Sequence, residues 1–280
     1  MLSLLLIFLL SSVAGVTSSP LSESRLDSVR ALYAEAYRLD LGSDSVTPDT
    51  VAANRLYLQA AELGYSPAQN MIGYRLMKGE GITPDADKGL YWLEQAADNN
   101  DVRAASNLGY LLANGYYVKQ DDDKAFYWLN RAAEHNFAPA MSQLGDFFRD
   151  GRSVQPDTLQ AANLYAAAAE SGLPDAASKL IALSGVHRLD FSEVKTPDDY
   201  QIISSSLPEV FIDNPSFLSL IARFYALGYG VPYNYEKSLG IYRLAAEAGD
   251  DEAFEILEEL RGQFPDHPVL DGLRSPSGDL

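Results

Sequence analysis

Thr83-Pro84-Asp85-Ala86-Asp87-Lys88-Gly89-Leu90-Tyr91-Trp92-Leu93-Glu94-Gln95-Ala96-Ala97-Asp98-Asn99-Asn100 reads as a turn, a capped helix and a helix stop. The Asp85 carboxylate can accept from the free N–H groups of a first helical turn. Leu90, Leu93, Ala96 and Ala97 fall on one face at helical spacing. Asn100 stands where a chain leaving a helix often turns left-handed, a conformation Gly and Asn tolerate. The stretch recurs. Ala-Ala pairs start at Ala60, Ala96, Ala132 and Ala168, each 36 residues after the last, and again at Ala245, two periods plus five residues later.

A fixed period of a few tens of residues marks a solenoid, so each column has a physical reading. The cap column is Asp49, Asp85, Asp121, Asp157 and Asn234. The stop column is Gly64, Asn100, Asn136, Gly172 and Gly249, all Gly or Asn. The large apolar column of this helix, helix B, is Leu56, Trp92, Trp128, Leu164 and Ile241, which predicts core tryptophans. The small Ala-Ala column lets another helix approach closely.

Helix A precedes helix B in each repeat. Its columns are Ala68, Ala104, Ala140, Ala176 and Ala253, then Ile72, Leu108, Leu144, Leu180 and Leu257. Gly73, Gly109 and Gly145 follow three of these. Mid-helix glycine costs about 1 kcal/mol against alanine, so a recurring one predicts close packing. Helix A ends at Gly79, Gly115, Gly151 and Gly228, with a second loop glycine at Gly81 and Gly230. An apolar residue then tucks back at Val46, Ile82, Val118, Val154 and Val231.

These residues resemble the Sel-one-like repeat family, a relative of the tetratricopeptide repeat. The repeats ending at Asn100 and Asn136 carry Leu/Ile-Gly-Tyr, a glycine loop, Asp, Lys, Trp and Ala-Ala. The resemblance covers about residues 30–261 and is weaker in the first repeat, with Tyr37 and Ser43 at glycine positions, and in the fifth, with Ile181 and His187. It implies an all-α, right-handed α-solenoid of stacked antiparallel helix pairs that acts as a non-catalytic adaptor for a protein or peptide partner. The family has no shared catalytic motif to carry over.

Organisation follows from the repeats. Residues 1–19 read as a signal peptide: Leu2 to Leu10 is almost wholly apolar, Ser-Ser-Val-Ala-Gly follows, and the run is too short to span a bilayer comfortably. This predicts export, periplasmic or secreted, with the endoplasmic-reticulum lumen as the alternative, and a membrane role only through an uncleaved signal. Residues 20–29 read as linker, 30–261 as about six helix pairs with a capping helix at 250–261, and 262–280 as an irregular tail holding Pro265, Pro268 and Pro276. The formal net charge of −18 disfavours nucleic acid, whose phosphates need clustered Lys and Arg, and disfavours anionic membrane surfaces. The chain has no cysteine, so no disulfide staples it.

Chemical motifs are few. His135, His187 and His267 lie far apart, without metal-ligand companions, so the sequence supports no metal and no cofactor. Ser192-Glu193-Val194-Lys195 matches Ser-x-x-Lys but lacks the companion motifs of penicillin-recognising enzymes. Asp121-Asp122-Asp123 lacks EF-hand spacing and reads as a capping turn. By resemblance to tetratricopeptide packing, helix A lines the concave side. Tyr74, Tyr110, Asp146 and Arg223 then form one row, with Asn70, Ser106 and Ser142 a turn earlier and Lys78, Asn114 and Asp150 a turn later. The partner groove expected from these is Asn70, Tyr74, Lys78, Ser106, Tyr110, Asn114, Ser142 and Asp146, since tyrosines bury area and still hydrogen-bond. The rival readings are a cell-envelope enzyme with its site in the irregular fifth repeat and a lumenal quality-control adaptor.

That fifth repeat, 174–213, has Gly185 to Thr196 where the glycine loop belongs, then Thr196-Pro197-Asp198 repeating Thr83-Pro84-Asp85. Helix B should stop near Ser206, because the residue before Pro208 resists helix, and a fresh helix should start at Pro215. Residues 185–196 are expected to bulge as a loop carrying Phe191.

Overall fold

The Asp/Asn column caps helices as its spacing requires. Asp49, Asp85, Asp121, Asp157 and Asn234 each accept from the backbone N–H three residues on, at 2.9–3.0 Å. The stop column is left-handed throughout: φ is 88° at Gly64, 62° at Asn100, 56° at Asn136, 93° at Gly172 and 99° at Gly249. These observations come from a computed structural model that describes residues 23–42, 47–191, 194, 196–265, 267–271 and 273. The expected signal, Ser43, Val46, Ser192 and Lys195 lie outside the described residues.

The chain forms two compact bodies, divided between Asp101 and Val102 at a repeat boundary. The N-terminal body holds α1 (Glu23–Leu41), α2 (Thr50–Glu62), α3 (Ser66–Lys78) and α4 (Ala86–Asp98), each packed on the next. The C-terminal body opens with α5 (Val102–Asn114), α6 (Asp122–Ala133), α7 (Ala138–Asp150), α8 (Thr158–Glu170) and α9 (Pro174–Ser184), stacked in the same way. It continues through α10 (Pro197–Ser204), α11 (Glu209–Ile212), α12 (Ser216–Leu227), α13 (Tyr235–Glu247) and α14 (Asp251–Gln263). The architecture is an all-α solenoid of antiparallel helix pairs, with no strand among the described residues. Because α1 begins at Glu23, residues 23–29 are helical rather than linker.

The helix A columns fall where expected: Ala68, Ala104, Ala140, Ala176, Ile72, Leu108, Leu180 and Leu257 are sealed from solvent. The helix B phase needs a correction. Trp128 and Ile241 are buried, but Leu56, Trp92 and Leu164 are only half-buried. The deepest large column is one residue later, at Tyr57, Leu93, Leu129 and Tyr165. The glycines explain it. A Cβ at Gly73 would stand 2.9 Å from Leu93 Cγ and from the Gly89 carbonyl oxygen; at Gly109 it would meet Leu129 Cγ at 2.6 Å, and at Gly145 Tyr165 Cε1 at 2.7 Å. Helix A dispenses with a side chain where the following residue of the B helix presses on it. Trp128 borders this seam, with Tyr127 edge-on at 4.9 Å and the Arg131 guanidinium 5.0 Å over its ring.

The second loop position is left-handed in every repeat that can be compared, not only at Gly81 and Gly230: Tyr117 has φ 63° and Ser153 has φ 57°. Ser153 gains a hydrogen bond to Asp123 Oδ1 at 2.5 Å. Tyr117 stays half-exposed.

The fifth repeat breaks the pattern. α10 ends at Ser204, and no helix crosses Pro208, in line with the expectation. Its cap is Thr196 rather than Asp198: Thr196 Oγ1 accepts from the Asp199 N–H, and the Asp199 carboxylate accepts from the Thr196 N–H at 2.8 Å. Capping at Thr196 places Pro197 in the first turn, where its missing N–H is harmless. α10 packs against α13, and α12 reaches back to α8 and α9. The connection after α9 does not bulge freely. Val186 is sealed, Lys237 Nζ donates to the carbonyls of His187 and Leu189, and the Phe191 ring lies on Gly240.

The tail also departs from the irregular expectation. A short 3-10 turn, Pro268–Leu270, buries Val269 and Leu270 against α13 and α14. The fully buried Arg243 donates to the carbonyls of Val269 and Asp271, and Arg261 donates to that of Leu270.

Trp128→Ala should destabilise the C-terminal body by about 3–5 kcal/mol, the usual cost of emptying an aromatic core site. Chemical denaturation checks this, and an unchanged midpoint would exclude a core role. Tyr117→Gly should act in the opposite direction, raising stability by about 1 kcal/mol by relieving a left-handed non-glycine residue.

Candidate functional site

The expected groove residues divide between the two bodies. In the N-terminal body, Asn70 and Tyr74 are half-buried and Lys78 is exposed. Lys78 Nζ sits 4.7 Å from the Tyr74 ring centroid and 3.2 Å from Glu80, whose carboxylate, with Tyr74, raises the lysine pKa. Beneath this surface lies a charge pair the period does not announce. Arg75, 6 % exposed, is paired with Asp40, donates to Asn54 Oδ1 at 2.8 Å and covers the Tyr57 ring at 5.1 Å. Burial, reinforced by Asp40, pushes the Tyr57 phenol pKa up.

In the C-terminal body, Tyr110, Asn114, Ser142 and Asp146 border one cleft of about 340 Å³, as their shared helix A phase implies. Tyr110 is 43 % exposed, its ring 5.7 Å from that of Tyr116, and Asn114 Nδ2 donates to the Tyr110 carbonyl at 2.7 Å. Ser106 and Ser142 correct the expectation: both are buried, at 3 % and 2 %. Lys179 of α9 reaches Ser142, its Nζ donating to the serine Oγ at 3.1 Å.

Asp146 is also engaged within the chain. It accepts from Tyr165 Oη and Lys179 Nζ, both at 2.7 Å, and lies 3.0 Å from Arg149, which chelates Asp150. Burial and the Asp146 bond push the Tyr165 phenol pKa up, and the Arg149 guanidinium holds the Asp150 carboxyl down. Arg152 makes two bonds to Asp122, at 3.1 and 2.6 Å, and donates to the Ala113 carbonyl. This ties the loop after α7 to α5 and α6. Lys179, Arg149 and Arg152 escaped sequence reading because each occurs in a single repeat and periodicity rewards only what recurs; Tyr165 escaped it because the expected large core column runs one residue earlier, through Leu164.

A larger cleft of about 560 Å³ lies beside the fifth repeat, lined by Leu189, Phe191, Val194, Lys237, His267 and Val269 among others. Burial pushes the Lys237 pKa down, but its ammonium is already held by two carbonyls, and His267 stands 3.6 Å from Glu236. Among the described residues, no three His, Cys, Asp or Glu side chains gather to hold a metal, and no helix is long and apolar enough to cross a membrane.

Capped helix pairs, left-handed stops and a glycine-to-helix seam define an α-solenoid repeat protein. The match to the Sel1 repeat model covers residues 29–65, 66–101, 102–137, 138–173 and 217–250, so the chain belongs to the Sel1 repeat family. The model skips the fifth repeat, where the helix pair is broken. Repeats of this family generally serve as protein-interaction scaffolds. A Sel1 repeat protein from Oxalobacter formigenes is similar at 26 % identity and TM-score 0.54, over 90 % of this chain and 88 % of that one. The protective antigen c5321 of uropathogenic Escherichia coli, with an SLR fold, is similar at 27 % identity and TM-score 0.55; 88 % of this chain matches 52 % of that one. No curated protein matches this sequence.

Arg152 bonding holds the Asp122 carboxyl below its ordinary pKa. A depressed carboxylate contributes stability above its unfolded pKa, and that contribution disappears as pH falls through the folded value. Asp122→Asn should therefore cost about 1 kcal/mol at pH 7. The difference from the parent should shrink below about pH 4, as melting curves taken from pH 7 to pH 2 will measure.

Proposed function

We propose that this chain is an exported, non-catalytic scaffold that binds a protein or peptide partner on its helix A face. The observation that carries this reading is the pair Tyr74 and Tyr110. They share one helix A phase, keep ring surface at the protein exterior, and are braced by Lys78 on one ring and Tyr116 beside the other. Tyrosine suits such a role, since a rigid ring buries area while the hydroxyl still hydrogen-bonds. Lys78 beside Tyr74 and Asn114 beside Tyr110 supply polar neighbours, each within its own body. Ser106 and Ser142 are buried and Asp146 is bonded to Tyr165 and Lys179, so these three fall outside the proposed contact surface. Export rests on the apolar run Leu2 to Leu10 and the small residues that follow.

The rival, an envelope enzyme acting at the fifth repeat, draws on the size of the cleft beside Phe191. Its lysine is occupied by main-chain carbonyls, which argues for a structural part.

The double substitution Tyr74→Ala with Tyr110→Ala should lower partner capture about tenfold or more, as losing two aromatic contacts does, with helicity intact by circular dichroism. Undiminished capture by the folded double variant would remove the helix A face from the interaction.

A further inference from the structure

The broken fifth repeat creates a cleft that the sequence does not announce. In an uninterrupted array a complete helix pair would separate α8 from α12. Here α10 leaves to pack on α13, and α12 comes against α8. A cleft of about 380 Å³ opens there, lined from α8, α12, α13 and α14. Its lining is mixed: Ala167, Phe217 and Leu220 supply a small apolar part, and Asn163, Glu170, Arg223 and Glu252 a larger polar one.

Two hydroxyl-bearing residues with little exposure line it, Ser219 and Tyr242. Ser219 is 7 % exposed, and its buried Oγ has no hydrogen-bond partner. Tyr242 is 9 % exposed, and burial raises its pKa. An unpaired buried hydroxyl costs stability, and a native chain retains one where something else completes it. The contrast with the cleft at Asp146 is direct: there the lysine, tyrosine, aspartate and serine already bond to one another.

Charge selects the occupant. Arg223 approaches Glu170 only at 3.5 Å, with both side chains about half-exposed, so Glu170 retains acceptor capacity. Glu252 faces the cleft from the first turn of α14, beside Asp250 and Asp251. The carboxylates outnumber the single guanidinium, and such a surface attracts a cation. We propose that this cleft receives a lysine or arginine side chain of a partner polypeptide. The stem lies along Phe217 and Leu220 and the head sits between Glu170 and Glu252, with the Ser219 hydroxyl turning outward to accept one of its hydrogens. This rests on the scaffold reading and adds a second contact point to it, away from the tyrosine row.

The test uses the full chain and three Ser-Gly peptides bearing spaced lysine, glutamine or glutamate, titrated by heteronuclear NMR. The lysine peptide should shift the amide signals of Ser219 and Leu220, and the other two should not. Ser219→Ala should weaken that binding about threefold or more, while the melting temperature holds or rises because an unpaired hydroxyl is gone. Glu170→Gln with Glu252→Gln should weaken it about tenfold, and Glu255→Gln with Glu259→Gln, elsewhere on α14, by less than about twofold. Equal losses in the two glutamate pairs would reduce the effect to general attraction and overturn the proposal. A lower melting temperature in Ser219→Ala with unchanged binding would give that hydroxyl a structural role and overturn it too. If partner capture falls with Tyr74 and Tyr110 replaced while the lysine peptide is silent at Ser219, the scaffold reading stands and this site does not. If the peptide binds at Ser219 and capture ignores the tyrosines, the reverse holds.

Discussion

The near-contact between the two helices of each pair is the constraint on which the rest of the structure depends. Gly73, Gly109 and Gly145 leave room for Leu93, Leu129 and Tyr165, and at Gly73 the opposing backbone itself is within reach of a would-be Cβ. Side chains interdigitate at such a seam as in a crystal, so added volume has nowhere to go. The Ala-Ala column follows from the same demand on the next interface, since α2 must also accept α3, and α6 must accept α7. Alanine buries there at little entropic cost and lets the neighbour in. A short period results, and each repeat can stack only in one register.

Turning the chain sharply at both ends of each regular B helix is the second demand. Asp or Asn caps the start, and a left-handed residue ends it. Gly and Asn fill the stop column because other residues carry a steric penalty there. At Tyr117 and Ser153 the chain accepts that penalty. Ser153 recovers a hydrogen bond by donating to Asp123, and Tyr117 presents its ring to solvent.

Where the period fails, charge takes over the positioning. Arg75 with Asp40, Lys179 with Asp146, and Arg243 with the tail carbonyls each join segments distant in sequence. Buried pairs of this kind return little net stability against apolar packing, but removing one partner is costly. We read them as fixing which segments meet. Arg243 is the clearest case: it lies over the Tyr200 ring of α10 at 5.2 Å and holds the tail through two carbonyls. The displaced fifth-repeat helix and the C-terminal segment thus converge on one guanidinium.

The repeats were legible because helix caps, stops and buried columns are local devices, set by residues a few positions apart and written again every 36 residues. The cap column, the left-handed stops, the helix A core and the end of helix at Pro208 could all be read that way. The phase of the helix B core was missed by one residue because Trp92 outweighs Leu93 in size. Which of two adjacent residues faces the glycine depends on where the opposing helix lies. Of the expected groove residues, Tyr74 and Tyr110 keep exposed surface, whereas Ser106 and Ser142 are buried and Asp146 is bonded within the chain, because a helix face does not show what the next helix covers. Lys179 reaches Asp146 across 33 residues of sequence, and the cleft at Ser219 exists only because α12 found α8. Local chemistry determined the elements and their stops; long-range packing alone decided which polar groups are consumed inside the protein and which stay at its surface.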